Sequence, residues 1–151
     1  MTSALDALQE QTFATVTSAT AAAYPRDMRL AGARLTGYLD GHAFGVIGTS
    51  RPDGRPHAAV ATYIRQDGTF WLPTMAGSVR ERNLRAQPWL TLTVSEGARD
   101  GEHTVVLIEG PATVVPLAEV PPAVLAKAPR YGVWVRLLPE RLLSYADDPR
   151  R

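Results

Sequence analysis

Residues 44–74 have the sequence FGVIGTSRPDGRPHAAVATYIRQDGTFWLPT, and this stretch decides the fold. It contains three runs with the two-residue period of a β-strand. The runs span 44–49, 57–64 and 69–74. Between them lie 51–56 and 66–68, whose Asp-Gly pairs and prolines favour tight turns. Because turns this short join antiparallel neighbours, the stretch predicts a three-stranded antiparallel meander.

The strand pattern continues further along the chain. Strands are predicted at 89–94, at 104–115 and at 132–138, and the last of these continues beyond Pro139. The Gly110-Pro111 pair predicts a bulge or bend inside the long second strand. Six strands joined by short connections predict a mainly β fold, a small antiparallel barrel with flanking helices.

Two helical stretches precede the strands. Four apolar residues recur at helical spacing and predict one helix over 4–23. These are Leu5, Leu8, Phe13 and Val16. A second helix is predicted over about 28–39. The pattern divides the chain into an N-terminal helical extension, 1–27, and a barrel domain, 28–151.

Composition excludes several classes of protein. At 151 residues the chain has the length of one domain. It has no cysteine, which excludes a disulfide scaffold, a zinc–cysteine site and a thiol nucleophile. The formal net charge of +1 is too small for a general nucleic-acid-binding surface. No apolar run approaches the roughly 20 residues of a membrane span, and the first residues lack the basic cluster of a secretory signal. We therefore expect a cytoplasmic protein that binds neither nucleic acid nor membrane.

The sequence indicates no metal site and no catalytic nucleophile. His42, His57 and His103 do not have the spacing of metal ligands. A G-x-S-x-G elbow and a Walker loop are both missing. The catalytic residues are accordingly left unassigned.

An arginine-rich helix start follows the third strand. Residues 74–85 are TMAGSVRERNLR, and Ser78 with Glu81 three residues later fits a capping box for a helix over 79–87. A helix N-terminus presents free N–H groups and the positive end of the helix dipole. Arginines beside it would complete a phosphate site. The alternative is a capped helix with solvent-facing arginines, and the spacing alone leaves both interpretations open.

Four segments together resemble a known superfamily. They are TSRPDGRPH at 49–57, DGTFWLPT at 67–74, GSVRERNLRAQPWLTLTV at 77–94 and IEGPA at 108–112. In this order they resemble the split β-barrel flavoproteins, which include the pyridoxamine 5'-phosphate oxidase-like FMN proteins and the oxidoreductases that use flavin or the deazaflavin coenzyme F420. The resemblance covers about 30–145. It implies a split β-barrel of about six antiparallel strands and FMN or coenzyme F420 as cofactor.

The resemblance also implies a phosphate site at the start of the predicted helix. Thr74, Ser78 and Arg80 fall where the family binds the phosphate of its cofactor, although the family usually has Lys where Arg80 stands. Arg keeps the positive charge and adds a forked donor. Arg82 and Asn83 are implied as further contacts.

A second part of the implied site is the strand at 57–62, along which the family places the isoalloxazine ring. Its residues Ala58, Ala59, Val60 and Ala61 are therefore implied to bind the cofactor. The small alanine side chains would allow the ring to approach the backbone. Tight packing inside the barrel would explain each alanine equally well.

The implied activity is an oxidoreductase that passes a hydride to or from a small organic substrate. The alternative is a non-catalytic protein of the same fold that binds FMN, coenzyme F420 or haem. Oxidation of pyridoxamine 5'-phosphate is not expected, because true oxidases carry an R-L-H-D-R-like segment after the last strand and residues 145–151 do not.

The resemblance further implies a homodimer, because the family places its cofactor between two subunits. Phe70, Trp71, Trp89 and Trp134 all lie on predicted strands, and one small barrel is not expected to cover all of them. A two-fold dimer would bury the same patch on both subunits.

Overall fold

The structure is a computed structural model that describes residues 2–148. Its strands are β1 Phe44–Ser50, β2 Pro56–Thr62, β3 Ile64–Gln66, β4 Thr69–Thr74, β5 Trp89–Gly97, β6 His103–Val115, β7 Val133–Leu137 and β8 Arg141–Ala146. Its helices are α1 Ala4–Phe13, α2 Ser18–Ala23, α3 Gly32–Asp40, α4 Val79–Ala86 and α5 Pro122–Leu125. Single 3₁₀ turns lie at Arg26–Met28 and Leu117–Glu119. Among the residues described, no helix combines the length and the apolar character needed to cross a membrane.

The strands form one curled antiparallel sheet. Its order is β2-β1-β5-β6-β7-β4-β3, and β8 pairs with β6 outside this path. The two ends of the order, β2 and β3, are consecutive in the chain, so the sheet curls back toward itself. This confirms the predicted mainly β split barrel with flanking helices. The three-stranded meander predicted at 44–74 is wrong in its middle run, which divides into two strands. Strand β2 pairs with β1 and β3 pairs with β4, so the stretch forms two hairpins at opposite ends of the sheet order.

Strand β6 belongs to both halves of the barrel. Its residues 103–111 pair with β5 on one edge, and 104–109 pair with β8 on the other edge. Beyond the bend, 112–115 pair with β7. The bend predicted at Gly110-Pro111 therefore marks the point where the strand changes partner.

Gly110 is required at this bend because another chain segment lies against it. A Cβ atom at Gly110 would lie 2.3 Å from the carbonyl oxygen of Leu138. Hydrogen bonds hold the two segments together at this point. The Leu138 N–H donates to Pro111 O at 3.0 Å, and the Glu140 N–H donates to Glu109 O at 2.9 Å. A larger residue would separate the segments.

Two of the predicted strands are divided in the structure. The predicted strand at 57–64 divides at Tyr63, which is buried and donates its hydroxyl to Leu39 O. On one side of Tyr63 the chain pairs with β1, and on the other side it pairs with β4. The last predicted strand divides at 138–140 into β7 and β8, which pair with different parts of β6, 112–115 and 104–109, on the two sides of its bend.

The barrel interior is the main core. It contains large side chains that are essentially inaccessible, among them Leu35, Leu39, Ile47, Phe70, Leu72, Leu90, Leu92, Ile108 and Leu137. A second apolar cluster lies between the barrel and the segment 117–131. It consists of Ile64, Trp71, Val115, Val120, Val124 and Trp134. Phe70, Trp71 and Trp134 are thus buried within one chain, and only Trp89 of the four aromatic residues considered above is exposed.

The N-terminal stretch forms two helices, so the prediction of one helix over 4–23 is wrong at its middle. The break at 14–17 contains Thr15 and Thr17, whose hydroxyls make hydrogen bonds with nearby backbone. Thr15 donates to Thr12 O, and Thr17 caps α2 by accepting from the Thr20 N–H. Such local bonds compete with a continuous helix.

Helix α1 is tied to the barrel by buried polar contacts. Gln9 Nε2 donates to Leu30 O at 2.8 Å, and its Oε1 accepts from the Ser144 hydroxyl. Thr12 Oγ1 accepts from the Leu142 N–H at 3.0 Å. Leu5 is buried in the main core. Helix α1 of the predicted extension is therefore packed on the barrel.

Substitution of Gly110 by Ala tests the close approach at the bend. We expect Gly110→Ala to lower the free energy of unfolding by about 1–3 kcal/mol, because the added methyl group meets backbone that cannot turn away. Chemical denaturation measures this. The matched control is Gly37→Ala on α3, where nothing lies within 4 Å of the added atom. It should be neutral or stabilise by up to about 1 kcal/mol. Equal effects of the two substitutions would contradict the role given to Gly110.

Candidate functional site

A cleft of about 260 Å³ lies where β2, β4 and the first turn of α4 come together. Its lining residues are Phe44, Val60, Ala61, Thr62, Pro73, Met75, Arg80 and Tyr131. The cleft unites three residues that the sequence predicts for the site, Val60, Ala61 and Arg80. They come from segments about twenty residues apart in sequence.

The turn before α4 directs the helix N-terminus toward this region. Gly77 has φ of +78°, a conformation that favours glycine. Ser78 then caps the helix by accepting from the Glu81 N–H at 3.2 Å. The predicted capping box is formed in a variant way, because Glu81 accepts from the Gly77 N–H at 2.7 Å rather than from Ser78. These contacts fix the first turn, and with it the direction of Arg80.

Arg80 places a positively charged guanidinium group in the cleft. Its Nε is buried and has no hydrogen-bond partner, and no carboxylate pairs with it among residues 2–148. Burial lowers the pKa of the guanidinium from its ordinary value, and Tyr131 opposes that shift. Burying a charged group without a partner is costly. An anionic group in the cleft would relieve this cost with a charge-assisted hydrogen bond.

The other residues predicted for phosphate do not line the cleft. The buried Thr74 hydroxyl donates to Leu72 O at 3.1 Å, and Ser78 is occupied as a helix cap. Arg82 is exposed to solvent. Asn83 is buried and donates from Nδ2 to the Thr49 hydroxyl at 3.0 Å, which ties α4 to β1. Their contacts to a cofactor stay predictions.

Strand β2 presents two different faces. Ala58 and Val60 point outward and are exposed, while Ala59 and Ala61 point toward the barrel, with Ala61 buried. Because β2 is at one end of the sheet order, one of its edges has no neighbouring strand. The backbone groups on that edge remain available for a flat ligand. Ala58 and Ala59 lie next to the cleft along the strand but do not line it.

Sequence patterns did not single out Phe44, Met75 or Tyr131 as site residues. Phe44 and Met75 are exposed by 60% and 70%, which is unusual for large apolar side chains that have no partner. Phe44 begins a predicted strand, and Met75 lies between a predicted strand and the predicted helix that follows it. Tyr131 is the last residue of the segment 117–131. Its position near α4 depends on the packing of that segment against Trp71 and Trp134. No local signal predicts such a contact.

Fold and site together define a class, the split barrels with a cleft beside the edge strand. The chain belongs to the pyridoxamine 5'-phosphate oxidase family, whose model matches residues 31–151. A comparison with curated proteins found no match.

Solved structures share the fold. A conserved hypothetical protein from Mycobacterium tuberculosis is 25% identical, with a TM-score of 0.68 over 84% of this chain and 90% of that one. An FAD-binding protein from Mesorhizobium loti is 20% identical, with a TM-score of 0.63 over 79% and 96%. The haem storage protein HutZ from Vibrio cholerae is 18% identical, with a TM-score of 0.64 over 78% and 96%.

Substitution of Asn83 tests whether it anchors α4. We expect Asn83→Ala to lower the free energy of unfolding by about 1–3 kcal/mol, because it leaves the buried Thr49 hydroxyl without its donor. Arg82→Ala, one residue away and exposed, should change it by less than about 0.5 kcal/mol. Thermal and urea denaturation of both variants provide the comparison. If Asn83→Ala is as stable as the unchanged protein, the contact with Thr49 is not what holds the helix.

Proposed function

We propose that this protein binds FMN or coenzyme F420 in the cleft beside Arg80 and uses it as an oxidoreductase on a small organic substrate. The observation that carries the proposal is the Arg80 guanidinium, which lines the cleft with a buried Nε that has no partner. An anionic phosphate group on a cofactor is a suitable partner for it. The cytoplasm stays the expected location.

The residues around Arg80 fit the rest of such a cofactor. The edge of β2 offers backbone donors and acceptors, and the small side chain of Ala61 leaves room beside it. Phe44, Val60 and Met75 provide exposed apolar surface for an aromatic ring system. When bound, the flavin or deazaflavin supplies the hydride chemistry. The residues of this chain bind its charged end, orient the ring along β2 and exclude water from one face.

The lining of the cleft favours a flavin ligand over haem. The structural neighbours include an FAD-binding protein and a haem storage protein. Of the three histidines, all of which lie in the described part of the chain, none lines the cleft. A non-catalytic flavin or deazaflavin carrier stays the alternative, and turnover with reduced cofactor distinguishes the two. We expect no oxidation of pyridoxamine 5'-phosphate. The segment compared for that activity extends through 149–151, which lie outside the described residues.

Variants of Arg80 test the proposed site. We expect Arg80→Ala to weaken FMN or coenzyme F420 binding by about ten- to a hundredfold, since a charge-assisted hydrogen bond contributes roughly 1.5–3 kcal/mol. Arg80→Lys keeps the charge and should retain most of the affinity. Absorbance and fluorescence titrations with each cofactor give the dissociation constants.

Arg99→Ala is the control, because Arg99 lies in the exposed loop between β5 and β6. It should bind like the unchanged protein. If Arg80→Ala and Arg99→Ala lose affinity equally, or if neither cofactor binds the unchanged protein, the proposed function is wrong.

We also propose that the protein is a homodimer that buries the outer face of β1 and β2. Val46 and Val60 are directly paired across these strands, and both are exposed, by 41% and 70%. Phe44 on the same face is 60% exposed and continues the patch to the cleft. An apolar face next to a ligand site is typical of an interface. A second copy related by a two-fold axis would cover both patches and complete the walls of both clefts.

A charge placed in this patch should separate the subunits. We expect Val46→Glu to shift the protein toward monomer at micromolar concentration, because a carboxylate would be buried without a partner. Leu117→Glu places the same charge at a residue of similar exposure, 46%, on the segment 117–131. It should leave the dimer intact. Sedimentation velocity measures both variants. A monomeric unchanged protein would overturn the proposal.

A further inference from the structure

The cleft beside Arg80 contains a second polar group that the proposed function leaves without a role, the hydroxyl of Tyr131. Arg80 reaches the cleft from the first turn of α4, and Tyr131 reaches it from the end of the segment 117–131. Burial lowers the pKa of Arg80, and the Tyr131 hydroxyl opposes this shift through its charge. The polar ends of the two side chains are therefore close enough to interact.

The position of Tyr131 is fixed by contacts on the side away from its hydroxyl. Its N–H donates to Ala128 O at 3.3 Å, and its carbonyl oxygen accepts from Trp134 Nε1 at 3.0 Å. Its ring is partly buried and packs against the apolar cluster that contains Trp71 and Trp134. A side chain held in this way loses little conformational freedom when it binds a ligand.

The Tyr131 hydroxyl has no hydrogen-bond partner within residues 2–148. The hydroxyls of three other tyrosines donate to oxygen atoms of the protein. These are Tyr38, Tyr63 and Tyr145. The Nε of Arg80 is also buried without a partner. Two donors from distant parts of the chain thus meet at the cleft, and the protein supplies an acceptor to neither.

The charges around the cleft favour an anionic acceptor. Among the described residues that line it, Arg80 is the one charged side chain, and no carboxylate competes for it. The guanidinium carbon of Arg130 lies 5.7 Å from the centre of the Tyr131 ring and adds a second positive charge nearby. A phosphate group has three terminal oxygens that point in different directions. It can therefore accept from two separate side chains at once.

We propose that Tyr131 binds the same phosphate group as Arg80 and is the second anchor of the cofactor in this cleft. This assignment rests on the proposed function, because the phosphate belongs to FMN or coenzyme F420. Tyr131 then takes the role that the sequence resemblance implies for the hydroxyls of Thr74 and Ser78, which are used within the protein. The two anchors make the cleft selective for flavins that carry a phosphate.

Substitution of Tyr131 by Phe tests this role, because it removes the hydroxyl and keeps the packed ring. We expect Tyr131→Phe to weaken FMN binding about tenfold, the effect of losing one hydrogen bond to a charged group. Binding of riboflavin, which lacks the phosphate, should change by less than about twofold. For coenzyme F420 the matched compound is its riboflavin-like deazaflavin fragment without the phosphate. Fluorescence titrations measure all four affinities.

Tyr24→Phe is the matched control. Tyr24 is also partly buried, but it lies at the end of α2 and does not line the cleft. This variant should bind FMN and riboflavin like the unchanged protein.

The double variant Arg80→Ala/Tyr131→Phe tests whether both side chains bind one group. The effects of two residues that share a partner are not additive in free energy. We therefore expect the double variant to lose less FMN affinity than the product of the two single losses. A loss equal to that product would place the two side chains on separate groups and overturn the assignment.

The same titrations separate this assignment from the proposed function. If Arg80→Ala binds FMN weakly while Tyr131→Phe binds it like the unchanged protein, the role of Tyr131 alone is wrong. An equal loss of FMN and riboflavin binding in Tyr131→Phe would also overturn that role, since a damaged fold or a lost ring contact weakens both. If the unchanged protein binds neither FMN nor coenzyme F420, the proposed function fails, and the role of Tyr131 fails with it.

Discussion

The contact between the Gly110 backbone and the Leu138 carbonyl is the constraint on which the barrel depends. Strand β6 pairs with β5 and β8 before the bend and with β7 after it. This change of pairing is possible only because the backbone at Gly110 and the backbone at Leu138 approach so closely. Strand β7 in turn carries β4 and β3. The bend therefore determines where the end of β4, and the helix that follows it, lies relative to the edge strand β2. The cleft exists because these two parts of the sheet meet.

Stability and ligand binding make opposite demands at Arg80. In a core built for stability alone, a partly buried guanidinium would be paired with a carboxylate, as Arg65 is with Asp40. Arg80 has no such partner among the described residues, and Glu81 next to it is used by Gly77 and Arg85. The Gly77 N–H and the Arg85 side chain hold the pKa of the Glu81 carboxyl below its usual range. The carboxylate nearest in sequence is thereby kept on the helix and away from the cleft.

The parts of the fold that depend on neighbouring residues could be predicted from the sequence. The tight turns within 44–74, the cap at Ser78 and the bend at Gly110-Pro111 all follow from residues within a few positions of one another. The parts that depend on distant contacts could not. The division at Tyr63 is set by Leu39, the orientation of Asn83 by Thr49, and the arrival of Tyr131 by Trp71 and Trp134. Of the predicted site residues, Val60, Ala61 and Arg80 line the cleft. Phe44, Met75 and Tyr131 also line it, and the sequence pattern did not identify them as site residues.

The small apolar cluster beneath the segment 117–131 has an evolutionary consequence. Val120 and Val124 anchor the segment on Trp71 and Trp134, outside the barrel interior. Lys127 is exposed, and Tyr131 is partly buried at the edge of this cluster, outside the main core. Changes at these two positions can therefore accumulate without disturbing the main core. Substitutions in this segment would therefore alter the lining of the cleft beside Arg80 while the barrel interior stays unchanged.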